Sequence, residues 1–94
     1  MAEPVRVPGK EVAKLKLYTL STCGWCRKTK ALLGELGVAY EYIDVDLLPP
    51  PEKETVMEDI TKWNPKNSFP TIVVNDEECI VGYDEEQIRE VVSK

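Results

Sequence analysis

The alternation of hydrophobic and polar positions divides the first half of the chain into a strand, a helix and a second strand. Residues 14–20 form a short run of leucine, tyrosine and threonine with two lysines, which predicts a strand. Residues 24–36 have apolar side chains at helical spacing and precede Gly37, a residue typical of a helix C-terminal cap. Residues 38–45 alternate in part and predict the second strand. This order indicates a βαβ unit with parallel strands and a right-handed crossover.

The second half of the chain predicts a helix, a hairpin and a final helix. A run of three prolines interrupts the chain before residues 52–63, which carry apolar side chains at helical spacing. Two β-rich runs, residues 69–74 and 78–81, are separated by a short polar turn, so these strands should be antiparallel. Asp84 and Gln87 form a capping-box pattern that predicts the last helix. The predicted order is therefore βαβαββα.

The first residues differ from the rest, because they are polar and rich in turn-forming proline and glycine. We expect residues 1–13 to be an N-terminal extension of low order, and residues 14–94 to form the folded domain. The alternative for the extension is a short strand through Val5 and Val7 that folds back at Pro8-Gly9.

Composition narrows the class of protein. The chain has 94 residues, enough for one domain with a modest core. Its net charge is −5 and it has no long basic run, which argues against nucleic-acid and anionic-membrane partners. No apolar stretch approaches the roughly 20 residues that a spanning helix needs, and the first ten residues lack a secretory apolar region. We expect a cytoplasmic monomer.

Candidate chemistry lies at the junction of the first strand and the first helix, in Cys23 and Cys26. On the first turn of a helix, residues at i and i+3 are neighbours, so two thiols there can form and reopen a disulfide. The unpaired N–H groups of a helix start also stabilise a thiolate. In the cytoplasm a disulfide is usually transient and catalytic. The pair therefore indicates a redox-active dithiol in which Cys23 attacks and Cys26 resolves.

The residues on either side of this pair have simpler expected roles. Ser21 and Thr22 supply hydroxyls for the turn and for capping the helix. Arg27, Lys28 and Lys30 follow the pair, and as solvated surface charges they should favour the thiolate only slightly.

A metal site is the alternative interpretation of the two cysteines. A structural zinc site needs four ligands, commonly two such pairs. This chain has one pair, a distant Cys79 and no histidine. We therefore expect no metal site, and we expect Cys79 to behave as a small buried hydrophobic residue. The lack of histidine also excludes Cys–His nucleophilic catalysis.

Three motifs stand at the junctions between the predicted elements: Cys23-Gly24-Trp25-Cys26, Phe69-Pro70-Thr71 and Gly82-Tyr83-Asp84. With these motifs at these separations, the chain resembles the thioredoxin fold and, within it, the glutaredoxin-like redoxins. The resemblance runs from about Lys16 to the end of the chain. It implies an α/β protein with a four-stranded mixed sheet flanked by three helices, and the activity of a thiol-disulfide oxidoreductase acting on protein disulfides or mixed disulfides.

The resemblance implies a substrate-binding surface beside the dithiol. The proline at the position of Pro70 is cis throughout the family, which would turn the backbone N–H and C=O of Phe69 towards an extended substrate. Trp25 is expected to be an exposed lid or docking surface.

The turn that opens the last helix is the second binding element that the resemblance implies. In glutaredoxins this turn binds part of glutathione, which here implicates Gly82, Tyr83 and Asp84. A helix cap without a ligand is the alternative interpretation.

One position departs from the glutaredoxin pattern. Glutaredoxins usually carry lysine or arginine three residues before the nucleophile, where it meets a glutathione carboxylate, whereas this chain has Leu20 there. Lys16 lies too far down the strand to substitute. The electron donor is therefore left open among three classes. They are glutathione, another small thiol as in similar proteins of methanogenic archaea, and a thioredoxin-reductase-type flavoenzyme.

The resemblance also implies partners and one alternative function. Disulfide-containing proteins such as ribonucleotide reductase are the expected substrates. No cofactor is expected beyond the redox-active disulfide, with glutathione or another small thiol as co-substrate. The alternative is an iron–sulfur cluster carrier, since some glutaredoxins hold a cluster between two chains with a cysteine and glutathione.

Overall fold

The computed structural model describes residues 3–93, which form a mixed sheet of five strands and three α-helices. The predicted order βαβαββα is confirmed from the second strand onward, with boundaries that shift by a few residues. In chain order the elements are β1 (Val5–Val7), β2 (Leu15–Thr19), α1 (Gly24–Leu36), β3 (Tyr40–Asp44), a 3₁₀ turn (Val45–Leu47), α2 (Pro50–Trp63), β4 (Thr71–Val74), β5 (Glu78–Val81) and α3 (Glu85–Val92).

The sheet has the order β1-β3-β2-β4-β5. β2 and β3 are parallel, as a βαβ unit requires, and the other neighbouring strands are antiparallel. Tyr18 of β2 is opposite Thr71 of β4, which is in turn opposite Val81 of β5. The end of β2, the start of β4 and the end of β5 therefore lie at the same end of the sheet. The segments carrying the three sequence motifs meet at that end.

Helices cover both faces of the central strands. Leu17 and Ile72 point to the face covered by α1 and α3, whereas Tyr18 and Val73 point to the face covered by α2. Because both faces are covered, all four residues of β4 are buried. A strand buried on both sides has a continuous apolar run in its sequence, which explains why residues 71–74 do not alternate.

The structure corrects two expectations, the four-stranded sheet and the N-terminal extension of low order. Val5–Val7 forms a strand that pairs antiparallel with β3, with Val5 opposite Tyr42. The unpaired backbone groups of β3 would otherwise form an exposed sheet edge, and β1 satisfies them. The alternative expectation of a short strand through Val5 and Val7 is thus the correct one. The domain boundary at residue 14 stays a prediction, and residues 1 and 2 of the extension lie outside the described part of the chain.

The segment after β1 is tied to the turn between α1 and β3. The N–H of Lys10 donates to the carbonyl of Gly37 at 2.9 Å, and the N–H of Ala39 donates to the carbonyl of Lys10 at 2.8 Å. A Cβ atom at Gly9 would lie 2.6 Å from the carbonyl carbon of Val38. Glycine is therefore required at position 9 for the backbones to approach this closely. Across residues 3–93, none of the helices has the length and apolar character to cross a membrane.

Candidate active site

Cys23 caps the N-terminus of α1 with its sulfur atom. The backbone N–H of Cys26 donates to Cys23 Sγ at 3.1 Å, and the first turn of α1 contains no acidic residue. At most helix starts a serine, threonine or aspartate oxygen takes this place. The free N–H groups and the positive end of the helix dipole stabilise negative charge on a sulfur placed there. Local backbone geometry thus provides a site for a thiolate.

Ser21, one of the two residues predicted to supply capping hydroxyls, has a different role. The backbone N–H of Ser21 donates to Asp46 Oδ1 at 2.8 Å, and the Ser21 hydroxyl donates to the other carboxylate oxygen. These hydrogen bonds lower the pKa of Asp46. Asp46, in the 3₁₀ turn, therefore holds the loop that leads into Cys23. The sequence does not indicate this contact, because the two residues lie 25 positions apart in the chain.

Cys26 is completely buried beneath Cys23. Burial raises the pKa of Cys26 to about 12, and the hydrogen bond with Cys23 acts in the same direction. Cys26 is therefore protonated at neutral pH, whereas Cys23 is partly exposed. The two thiols are chemically unequal, which is what an attacking and a resolving cysteine require.

We expect iodoacetamide at neutral pH to alkylate Cys23 and to leave Cys26 unmodified in the folded, reduced protein. The reason is that alkylation needs an exposed thiolate, and Cys26 ionises only as the pH approaches about 12. Mass spectrometry of the digested protein measures both sites. Unfolding in denaturant before alkylation is the control, after which both thiols should react. Equal modification of Cys23 and Cys26 in the folded protein would contradict their inequality.

The loop before β4, which contains Phe69 and Pro70, lies at the same end of the sheet. The Phe69-Pro70 peptide bond is cis. The N–H of Gly82 donates to the carbonyl of Pro70 at 2.8 Å, and Gly82 has a φ of 80°. Two of the predicted binding segments are therefore joined directly. Within residues 3–93, the N–H and C=O of Phe69 have no protein partner, so both remain available to a substrate backbone.

An aromatic stack connects the start of α1 to the start of α3. The rings of Trp25 and Tyr83 lie 5.6 Å apart between centroids. Trp25 is 56% exposed, and Lys28 Nζ lies 4.6 Å from its ring centroid. The hydroxyl of Tyr83 donates to Glu85 at 3.3 Å. Two of the aromatic residues predicted to bind substrate, Trp25 and Tyr83, are thus in contact and form one surface next to the dithiol.

Asp84 is the N-cap of α3. Its carboxylate accepts the backbone N–H of Gln87 at 3.1 Å and the Gln87 side-chain amide at 2.8 Å. Asp84 is thus the helix cap that the sequence predicts, but the Gln87 side chain bonds the Asp84 carboxylate and not the Asp84 backbone N–H, so the second half of the capping box is not formed. A role for Asp84 in ligand binding stays a prediction.

The position three residues before Cys23 is apolar in its surroundings as well as in its side chain. Leu20 is partly buried and packs on the cluster beneath α2. Lys16 is four residues earlier, about 13 Å along the strand, and its Nζ lies 5.5 Å from the centroid of the Tyr18 ring. Neither residue places a cation beside the nucleophilic sulfur.

Lys30 is not the solvated surface charge that the sequence predicts. Its side chain is only 22% exposed, and its Nζ lies 3.3 Å from Asp44 Oδ1. The long side chain reaches from α1 to β3, where the Asp44 carboxylate and the Tyr42 ring cover it. Arg27 and Lys28 are exposed, as predicted.

Asn64 supports the loop that carries Phe69 and Pro70. It is 2% exposed, and its side-chain amide donates to the carbonyl and hydroxyl of Ser68 and to the hydroxyl of Thr71, at 3.1–3.2 Å. Its side-chain oxygen accepts the N–H of Lys66 at 3.1 Å. The composition of residues 64–68, which are polar and include a proline, indicates a loop and nothing more. An asparagine that ends a helix just before a proline was the available signal.

Cys79 lies on β5 and is half-buried, and burial raises the pKa of its thiol. It faces the same side of the sheet as Val73, its partner in the adjacent strand. A half-buried thiol with a raised pKa is typical of a packing residue and not of a reactive cysteine, as the sequence predicts.

Comparisons with known proteins agree with this architecture. The sequence model of the Glutaredoxin family matches residues 15–80. Glutaredoxin 1 of Rickettsia conorii is 42% identical over 59 residues, which cover 63% of this chain and 55% of that protein. The match thus spans about half the length of that curated relative.

Two solved archaeal structures are similar over most of their length. The methanoredoxin of Methanosarcina acetivorans is 49% identical, with a TM-score of 0.87 over 92% of this chain and 90% of that one. The glutaredoxin of Methanosarcina mazei Go1 is 45% identical, with a TM-score of 0.89 over 97% of this chain and 88% of that one. Together with the family match, these similarities show that the chain belongs to the glutaredoxin family.

Proposed function

We propose that this protein is a thiol-disulfide oxidoreductase that reduces protein disulfides or mixed disulfides through Cys23 and Cys26. The observation that supports this most directly is the hydrogen bond from the Cys26 N–H to Cys23 Sγ at the start of α1. It places one sulfur where negative charge is stabilised, and the second thiol is buried within the same turn. Membership of the glutaredoxin family supports the same chemistry.

The reaction has two exchanges. In the first, the Cys23 thiolate attacks one sulfur of the substrate disulfide, forming a mixed disulfide and releasing one substrate thiolate. In the second, Cys26 attacks Cys23 Sγ, the Cys23–substrate bond breaks, and a second thiolate leaves. The Cys26 proton passes to a departing thiolate. The substrate gains two electrons, and the protein is left with a Cys23–Cys26 disulfide.

Substrate would bind across the open end of the sheet. The free N–H and C=O of Phe69 can pair with an extended backbone, as in strand addition. The stacked Trp25 and Tyr83 offer an apolar surface beside the cysteine pair. Protein disulfides in extended segments, such as that of ribonucleotide reductase, fit this surface. We place the protein in the cytoplasm as a monomer.

The electron donor is proposed to be a small thiol other than glutathione or a thioredoxin-reductase-type flavoenzyme. Leu20 is what separates these donors from glutathione, because it supplies no cation to a glutathione carboxylate. The oxidised protein should therefore react slowly with glutathione. Leu20→Lys should speed that reaction by up to about fivefold. An exposed ion pair between the new lysine and a glutathione carboxylate contributes at most about 1 kcal/mol, which corresponds to that factor.

Tryptophan fluorescence of the oxidised protein measures this, because Trp25 lies between the two cysteines. Glutathione, other small thiols, and NADPH with a thioredoxin reductase are added in turn. Leu47→Lys is the matched control, since it makes the same change at an exposed residue of the 3₁₀ turn. Fast reduction by glutathione in the unchanged protein, with an inert reductase, would show that Leu20 does not govern donor choice.

The cluster-carrier alternative is separated from this proposal by a different experiment. Anaerobic reconstitution with iron, sulfide and a thiol should leave the protein colourless and monomeric. A coloured dimer would favour the alternative instead.

A further inference from the structure

Lys30 follows Cys26 by one helical turn and lies on the same side of α1. Helical side chains lean towards the N-terminus of their helix, so the Lys30 side chain extends back over the turn that contains Cys26. Residues at i and i+4 are also neighbours on a helix surface. Lys30 is thus on the side of α1 that carries the buried thiol, near enough for its charge to lower the pKa of Cys26.

Groups from two strands hold the ammonium in this position. Lys30 Nζ lies 3.3 Å from Asp44 Oδ1 and 3.8 Å from the centroid of the Tyr42 ring. The buried Thr19 hydroxyl donates to the same Asp44 oxygen at 2.6 Å, which orients the carboxylate. Asp44 is itself only 19% exposed. A charge with these partners is fixed in place and weakly screened by solvent.

We propose that Lys30 is a positioning residue for the resolving exchange: its ammonium, held by Asp44 and Tyr42, stabilises the negative charge that develops on Cys26 Sγ. This rests on the proposed dithiol function. In that exchange Cys26 gives its proton to a departing thiolate and its sulfur bonds to Cys23 Sγ, so the cation assists the step in which a buried thiol must become a nucleophile.

The charges around Cys26 support this assignment. The titratable groups that act on Cys26 are Cys23 and Lys30. Of the carboxylates on the neighbouring elements, Asp44 of β3 pairs with Lys30, and Asp46 of the 3₁₀ turn accepts the hydrogen bonds of Ser21. Lys30 lowers the pKa of Cys26, in opposition to burial. The ion pair therefore presents its positive end to the thiol.

A purely structural ion pair between α1 and the sheet is the competing explanation, and the two exchanges can be timed separately to test it. A Cys79→Ser protein is mixed with an equimolar amount of dithiobis(nitrobenzoate), which releases one coloured thiolate at each exchange. The first phase reports attack by Cys23, and the second reports resolution by Cys26. Stopped-flow absorbance is recorded across a range of pH for each variant.

We expect Lys30→Gln to slow the second phase about threefold at neutral pH, with the first phase nearly unchanged. Losing a nearby cation raises a thiol pKa by about one unit, at the low end of such effects. The fraction of Cys26 present as thiolate then falls about tenfold. Because a more basic thiolate is about threefold more nucleophilic, the net slowing is about threefold. The pH profile of the second phase should move to higher pH by about one unit. Lys30→Arg should restore the rate.

Two further variants make the result decisive. Arg27→Gln removes the same charge from an exposed position on α1 and should not alter the second phase. The double change Lys30→Gln with Asp44→Asn should keep the profile at higher pH, because the ammonium is still missing. A return to the unchanged profile in the double variant would assign the effect to an uncompensated Asp44 and overturn the proposal.

The outcomes also separate this inference from the proposed function. If the second phase is present but Lys30→Gln slows it no more than Arg27→Gln does, the role of Lys30 is overturned. The dithiol function is then unaffected. Equal slowing of both phases that Lys30→Arg does not restore indicates a structural role and also overturns it. The lack of any second phase in the parent protein would overturn the dithiol function itself.

Discussion

Replacing Cys23 with serine is expected to reduce disulfide reductase activity at least about 10³-fold, because a hydroxyl is not ionised at neutral pH and cannot act as the nucleophile without a base. No other thiol can take over. Cys26 is buried with its pKa raised to about 12, and burial also raises the pKa of Cys79. Turnover of a disulfide-containing protein in the presence of an active donor is the measurement.

Cys26→Ser should produce a different defect. The first exchange still occurs at Cys23, but the mixed disulfide cannot be resolved from within the protein. We expect a covalent adduct with protein substrates, visible by non-reducing electrophoresis and intact mass. Activity should persist only on small mixed disulfides that an added thiol can complete.

Cys79→Ser is the matched control for both variants, since it removes a thiol outside the helix start and should leave turnover unchanged. Full dithiol activity in Cys23→Ser would disprove the assignment of the nucleophile. A Cys26→Ser protein that turns over protein disulfides without accumulating an adduct would disprove the assignment of the resolving thiol.

Asn64→Ala is expected to lower the free energy of unfolding by about 2–3 kcal/mol, because it removes several hydrogen bonds and leaves buried polar groups without partners. The side chain makes contacts to Lys66, Ser68 and Thr71. Together these fix the loop that leads to Phe69 and Pro70. Activity of the folded variant should also fall, because the substrate-facing backbone of Phe69 loses its support.

Urea denaturation at constant m-value measures the stability change. Lys62→Ala is the control from the same helix end: its ammonium lies 3.9 Å from Asp59 at the surface, so its loss should cost little. A midpoint for Asn64→Ala equal to that of Lys62→Ala would show that the asparagine network does not hold the loop.

Local signals account for the features that sequence analysis predicted well. α1 was predicted at the residues where it occurs, because apolar spacing and a terminal glycine act within the segment itself. Asp84 was predicted as the cap of α3 for the same reason. Both depend only on residues a few positions apart.

The failures involve partners distant in the chain. Val5–Val7 looked like a flexible arm because nothing nearby showed the open edge of β3 with which it pairs. Lys30 looked like a surface charge because Asp44 lies on another element. Ser21 was expected to cap α1, but Asp46 accepts its hydrogen bonds. In each case a long-range partner overrode a local preference.

The sequence by itself determined the dithiol at a helix start and its place after a strand, because the spacing of Cys23 and Cys26 and the start of α1 are properties of one short segment. Only the tertiary structure decided how unequal the two thiols are and which residues surround them. The burial that raises the pKa of Cys26 and the charge that Lys30 presents to it depend on how α1 packs against β2 and β3. Burial and charge are set by atoms from several elements at once, so no single segment encodes them.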